Sequence, residues 1–303
     1  MRRILILLFV TLFIVTGCAA VLTPSQIAEV KKFAKATGEY SAFPDEVMEA
    51  HAELRMNVKL ANASSALSGD AALRLFANAL RFKKELEPKA ERAKQACLVL
   101  KEYGALLSAL ATETHEAELE AAAEKIGDSL DNAIGKYNKL AGSSISPFGG
   151  IVAALVRGAG GLYIKHQQTI AVREAVFKGD TAVKAMADAI SDLLGLYTAV
   201  DPSTNLALIQ SEKKQLLEWY ALAGYKDPLS TTRIVAEEVE RADLAEELAE
   251  TAKMSINKLV EAHTELAEKL KSKTSLPEVI ETVKVFVNEV KAAKSVYDKL
   301  SKK

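Results

Sequence analysis

The residues of this 303-residue chain best suited to acid–base or metal chemistry are four histidines, His51, His115, His166 and His263. A di-iron helical bundle pairs each histidine with a glutamate three residues earlier, because that spacing puts both ligands on one helix face. Met48, Thr112, Tyr163 and Val260 stand at those positions, so that pattern is missing. His115-Glu116 opens like a zinc-protease motif, but Leu119 occupies the place of the second histidine. Gly158-Ala159-Gly160-Gly161 has neither the phosphate-loop pattern nor the spacing of a dinucleotide fingerprint. No Gly-x-Ser-x-Gly elbow occurs. His51 and His263 lie next to apolar stripes and read as hydrogen-bonded core residues. No catalytic residue, metal site or cofactor is expected, and the chain is read as not an enzyme.

The elements that must hold these side chains are helices. Apolar residues recur at spacings of three and four, glycine is sparse, and period-two alternation is almost absent. The prolines punctuate the pattern, being tolerated in a first helical turn and disruptive later. Thr23-Pro24-Ser25-Gln26 and Ser275-Leu276-Pro277-Glu278 read as capping boxes. Ser146-Pro147, Asp201-Pro202 and Asp227-Pro228 put a capping side chain before proline; Pro44 and Pro88 mark a break or kink; Gly179-Asp180 reads as a helix stop followed by a new cap. The expected helices are 24–38, 44–66, 70–87, 88–111, 114–141, 147–178, 180–198, 202–223, 228–272 and 276–301. Along 228–272 the stripe Val235, Ala242, Ala245, Ala249, Ala252, Ile256, Leu259, His263, Leu266, Leu270 has coiled-coil-like spacing. The expected fold is all-α: an elongated antiparallel multi-helix bundle, forming one domain over residues 24–303.

The first eighteen residues differ from this body. Arg2 and Arg3 precede an uncharged apolar run from Ile4 to Val15, followed by Thr16, Gly17 and Cys18. A basic start, a short apolar core and small residues before a cleavage point make a secretory signal. A core of about twelve residues is short of the roughly twenty needed to cross a bilayer. The end of this leader resembles the lipobox of bacterial lipoproteins: an aliphatic residue, a small or Thr-like one, Gly, then Cys. The resemblance implies a signal peptide over residues 1–17, cleavage between Gly17 and Cys18, and diacylglycerol on the Cys18 sulfur. Residues 18–23 then form a short tether. The implied place is the bacterial cell envelope, with Ala19 favouring an outer membrane, facing the periplasm, if the cell has one.

Lys and Arg number 39 and Asp and Glu 40; without Arg2 and Arg3 the balance is 37 against 40, a net charge of −3. No basic excess points to nucleic acid. After cleavage Cys97 is the one thiol that could pair internally, so no intramolecular disulfide is expected. Its setting, Ala96-Cys97-Leu98-Val99-Leu100, reads as a buried helix face.

Residues 141–164 carry one charge, Arg157, and six glycines. Gly150, Ala154 and Gly158 recur at spacing four, which lets helices approach closely, so 147–164 is expected to be the buried spine of the bundle. A long helical bundle with an apolar, glycine-bearing insertion also resembles, in architecture alone, the α-helical pore-forming toxins of the cytolysin A type. That resemblance implies an alternative, a membrane-perturbing protein using 145–164. The leading expectation is a lipid-anchored, non-catalytic binding or scaffolding module with an envelope protein partner. A carrier of small apolar ligands is the remaining alternative.

Overall fold

The computed structural model describes residues 21–64, 69–112, 115–157, 164–198, 207–222, 230–272 and 277–302. Within them the chain is an all-α multi-helix bundle with no strand. Its helices are α1 (Pro24–Tyr40), α2 (Phe43–Ser64), α3 (Gly69–Thr112), α4 (Glu116–Ala141), α5 (Gly149–Arg157), α6 (Ile164–Gly195), α7 (Leu208–Leu222), α8 (Ser230–Ser272) and α9 (Pro277–Leu300).

The two longest helices are the hubs. α3 packs against α1, α2, α4 and α6, and α8 against α2, α6, α7 and α9. With 44 and 43 residues, each is about 65 Å long at about 1.5 Å per residue. A compact sphere of this chain length would be only about 49 Å across, so these rods make the bundle elongated. Every member of the α8 stripe from Val235 to Leu270 is buried, and its alanines let α6 and α9 lie close along it. Among the described residues the core is one cluster fed by each of these helices.

Local chemistry explains how α1 begins. Thr23 Oγ1 accepts from the Gln26 N–H at 3.2 Å, and Gln26 Oε1 accepts from the Thr23 N–H at 2.8 Å, so the expected capping box forms. Just before it, Leu22 is buried and its N–H donates to Thr169 Oγ1 of α6 at 2.9 Å. The chain is therefore docked into the body by residue 22.

Four expectations change. Helices 70–87 and 88–111 are one, because Pro88 sits on the exposed side of α3, where water can take the carbonyl it leaves unpaired. Gly179-Asp180 does not stop a helix: α6 runs through it. Gly179 is there for space, since a Cβ would lie 2.8 Å from Tyr103 Cε2 of α3. The helix expected from 147 begins at Gly149, and residues 158–163 of the expected 147–178 span lie outside the described residues. The helix expected from 202 begins at Leu208; the cap expected at Asp201 lies outside the described residues, as do those at Asp227 and Ser275.

The buried-spine expectation for Gly150, Ala154 and Gly158 is corrected in the same way. Gly150 and Ala154 are exposed, and Gly158 lies outside the described residues. The close approach is made one position earlier. A Cβ on Gly127 of α4 would lie 2.7 Å from the Gly149 carbonyl oxygen, so the two backbones touch there. Spacing four shows that small residues share a face, and here that face is the outer one.

Candidate functional site

The site grows from an aromatic cluster where α1, α3, α8 and α9 meet. The Phe33 ring lies 5.5 Å from Phe286 and 5.8 Å from His263, and Tyr103 lies 5.6 Å from His263. Phe148, from the segment before α5, meets Tyr103 edge-on at 6.1 Å. These contacts seal the His263 ring, which is 1 % exposed.

Within that seal three polar groups form a line across α3, α8 and α6. Tyr103 Oη lies 2.8 Å from His263 Nε2. On the other side, His263 Nδ1 faces Asp180 Oδ1 at 3.4 Å, a long polar contact. The tautomer with its proton on Nδ1 suits both neighbours, Nε2 accepting from the Tyr103 hydroxyl. Asp180 Oδ2 in turn accepts from Lys184 Nζ at 2.7 Å, one helical turn on. Burial pushes the His263 pKa below its usual value despite the facing carboxylate, so the ring stays neutral. His263, then Lys184, hold the Asp180 carboxyl down at about 2. Burial pushes the Tyr103 hydroxyl well up.

Asp180 is where this line reaches solvent. It forms part of the wall of a half-open cleft of about 580 Å³ between α6, α8 and the segment leading into α5. Phe148, Ile151 and Phe177 give the cleft an apolar side; Lys178, Lys184 and Lys271 give it a cationic one. Ile151 and Phe177 are 48 % and 53 % exposed. Lys271 Nζ sits 5.7 Å from the centre of the Phe177 ring.

The wall contributed by residues 142–148 is pinned by side chains. Gly142, at φ 63°, ends α4 in the left-handed region. The Ser143 N–H donates to the Asn138 carbonyl at 3.1 Å. Asn138 Nδ2 donates to the Ile145 carbonyl at 2.8 Å, and Asn138 Oδ1 accepts from the Ile145 N–H at 3.1 Å. Asp131 of α4 then caps α5 from outside, its two oxygens accepting from the Gly149 and Gly150 N–H groups at 2.7 and 2.8 Å. A carboxylate at a helix N-terminus satisfies donors left without intrahelical partners.

The remaining residues singled out in the sequence are scattered. Gly17 and Cys18 lie outside the described residues. Cys97 is buried, with its thiol pKa pushed up by burial, which suits an inert core position. Arg157 is a surface residue, paired with Glu120 at 3.2 Å and Glu124 at 2.7 Å on α4. His51 is buried against Tyr197, far along the chain from the cleft, and His115 precedes α4 on the surface. Among the described residues no group of three or more His, Cys, Asp or Glu is placed to hold a metal ion. No helix among them is long and apolar enough to cross a membrane. Sequence reasoning took Gly179-Asp180 for a helix stop followed by a new cap and so missed the role of Asp180; a glycine inside a strong helical pattern was the available signal.

No protein-family model, curated protein or solved structure matches this chain.

Proposed function

We propose that this chain is a lipid-anchored protein of the bacterial envelope whose helical body works by binding rather than catalysis. The observation that carries the anchoring is the leader ending in Val15-Thr16-Gly17-Cys18, and the docking of Leu22 onto Thr169 bears on how close the body would lie. Leu22 is four residue steps after Cys18, a span of at most about 14 Å. A lipid on Cys18 would therefore hold the body directly against the membrane, at the end of α6 that carries Thr169. Two or three acyl chains suffice for stable anchoring.

Binding is favoured over catalysis by the state of the titratable line. The His263 ring is sealed and its Nε2 is occupied by Tyr103. Asp180, the member that reaches the cleft, is held at about 2, far below the range useful to a general base at neutral pH. The membrane-perturbing alternative has one observation in its favour, the exposed Ile151 and Leu155 on α5. Against it, no helix among the described residues is long and apolar enough to cross a membrane.

The test is replacement of Cys18 by Ser in cells fed labelled palmitate. The parent chain is expected to carry the label and to fractionate with membranes; the variant is expected to lose both. Label retained on the Ser variant would overturn the anchor. Dye release from vesicles by the parent chain would favour the membrane-perturbing alternative.

A further inference from the structure

We infer that the cleft between α6 and α8 is a binding site for a single-chain amphiphile with an anionic head group, a carboxylate or phosphate. This inference goes beyond the anchor, and its main evidence is the composition of the cleft wall. Phe177 and Ile151 are large apolar side chains left half exposed inside a concavity, in a protein that has a large core available for such residues. An apolar chain laid against Phe148, Ile151 and Phe177 removes that surface from water.

The charges specify the head group. Lys184 is committed to Asp180 at 2.7 Å, which neutralises that carboxylate. Lys178 is held only by a longer contact, 3.7 Å to Glu174 one turn back. Lys271 rests over the Phe177 ring, with no carboxylate within ion-pairing distance among the described residues. Glu268 is the one other acid on the wall. Lys178 and Lys271 thus bring two ammonium groups, both exposed, to the cationic side of the cleft, facing its apolar side. An anion there gains charge-assisted hydrogen bonds. A cationic head would be repelled, and a wholly polar ligand would leave Ile151 and Phe177 wet.

The cleft is also built before any ligand arrives. Asn138 clamps the 142–148 wall and Asp131 fixes the start of α5, so little ordering remains to be done on binding. Its volume falls within the range of small-molecule sites, roughly 300–1,000 Å³. Phe177 lies eight residues along α6 from Thr169, about 12 Å, so an anchored body would hold the cleft near a supply of lipid.

The test is photolabelling of the full chain with a twelve-carbon alkyl phosphate bearing a terminal diazirine, the matching alcohol serving as the uncharged control. Adducts are expected within 144–151, 177–184 and 264–271. The double variant Lys178→Glu/Lys271→Glu is expected to lose labelling by about tenfold, the scale of one lost charge-assisted contact. Both side chains are exposed, and the variant is expected to keep the parent's helical circular dichroism spectrum, which checks its folding. Lys214→Glu, on the exposed face of α7, is expected to label like the parent. Equal labelling by the alcohol, undiminished labelling of the double variant, or adducts spread over the whole surface would each overturn the site.

A second arm offers a diazirine phospholipid in nanodiscs. Cleft adducts there identify a bilayer lipid as the source; adducts from the free phosphate alone identify a soluble amphiphile; adducts in neither arm overturn the proposal. The free-probe arm does not depend on Cys18, so failure of the anchor and failure of the cleft give different results.

Discussion

Around His51 and around His263 the chain carries the same six-residue pattern, Glu-Ala-His-x-Glu-Leu, on α2 and α8. Both histidines are buried, and both face a tyrosine ring, Tyr197 at 5.0 Å and Tyr103 at 5.6 Å. The surroundings then diverge. One turn beyond His51, Arg55 pairs with the buried Glu212 of α7, and the nearby positive charge adds to burial in depressing the histidine, to about 4. His263 faces a carboxylate instead, and that carboxylate opens onto a cleft. Helix periodicity buries a histidine; the element packed across from it decides whether its neighbours are a core ion pair or a carboxylate on a surface cleft.

The largest expected effect tests the member away from the cleft. Between its ordinary value of 6.5 and about 4, His51 in the folded chain excludes a proton that the unfolded chain takes up. Stability therefore falls as pH drops through that window, by about 2–3 kcal/mol between pH 7 and 4.5. Burial raises the carboxyl pKa values of Asp45 and Glu212, which works in the opposite direction, and His263 adds a loss of the same sign as His51. A difference measurement separates them: urea unfolding at both pH values, for the parent and for His51→Leu. The parent is expected to lose more than the variant by about that amount. Equal losses would mean that His51 is not a neutral core residue.

A smaller effect tests the connected member through its packing. In an unconstrained helix Gly→Ala stabilises by about 1 kcal/mol. At Gly179 the new methyl would press on the buried Tyr103 ring, so Gly179→Ala is expected to destabilise, by about 2 kcal/mol, as overpacking does. A raised denaturation midpoint would show that the ring can move aside, and the comparison would lose its tight side. Smaller again, Tyr103→Phe removes the donor to His263 Nε2 and leaves a buried acceptor unpaired, at a cost of about 1 kcal/mol. An unchanged midpoint would mean that the hydrogen bond contributes nothing to the line.

What could be read in advance follows from the range of the interactions. The capping box at Thr23 and Gln26 is closed within four residues, and the α8 stripe is a matter of helical period, so both were legible. The need for glycine at 179 comes from Tyr103, on another helix and distant in the chain, so a local reading mistook packing space for a stop. Likewise the spacing of Gly150 and Ala154 revealed a narrow face but not its direction, which is set by the contact of Gly127 with Gly149. The cleft takes its wall from three separate elements, and nothing in the local sequence announces that they meet.

The most direct measurement follows the two histidine rings together. The full chain, labelled on histidine for nuclear magnetic resonance, is titrated with dodecyl phosphate below its micelle concentration. The His263 ring, in contact with Asp180 on the cleft wall, is expected to shift in a saturable way while the His51 ring stays in place. Movement of His51 alone, of both rings alike, or of neither would contradict the assignment of the functional site to the cleft beside His263.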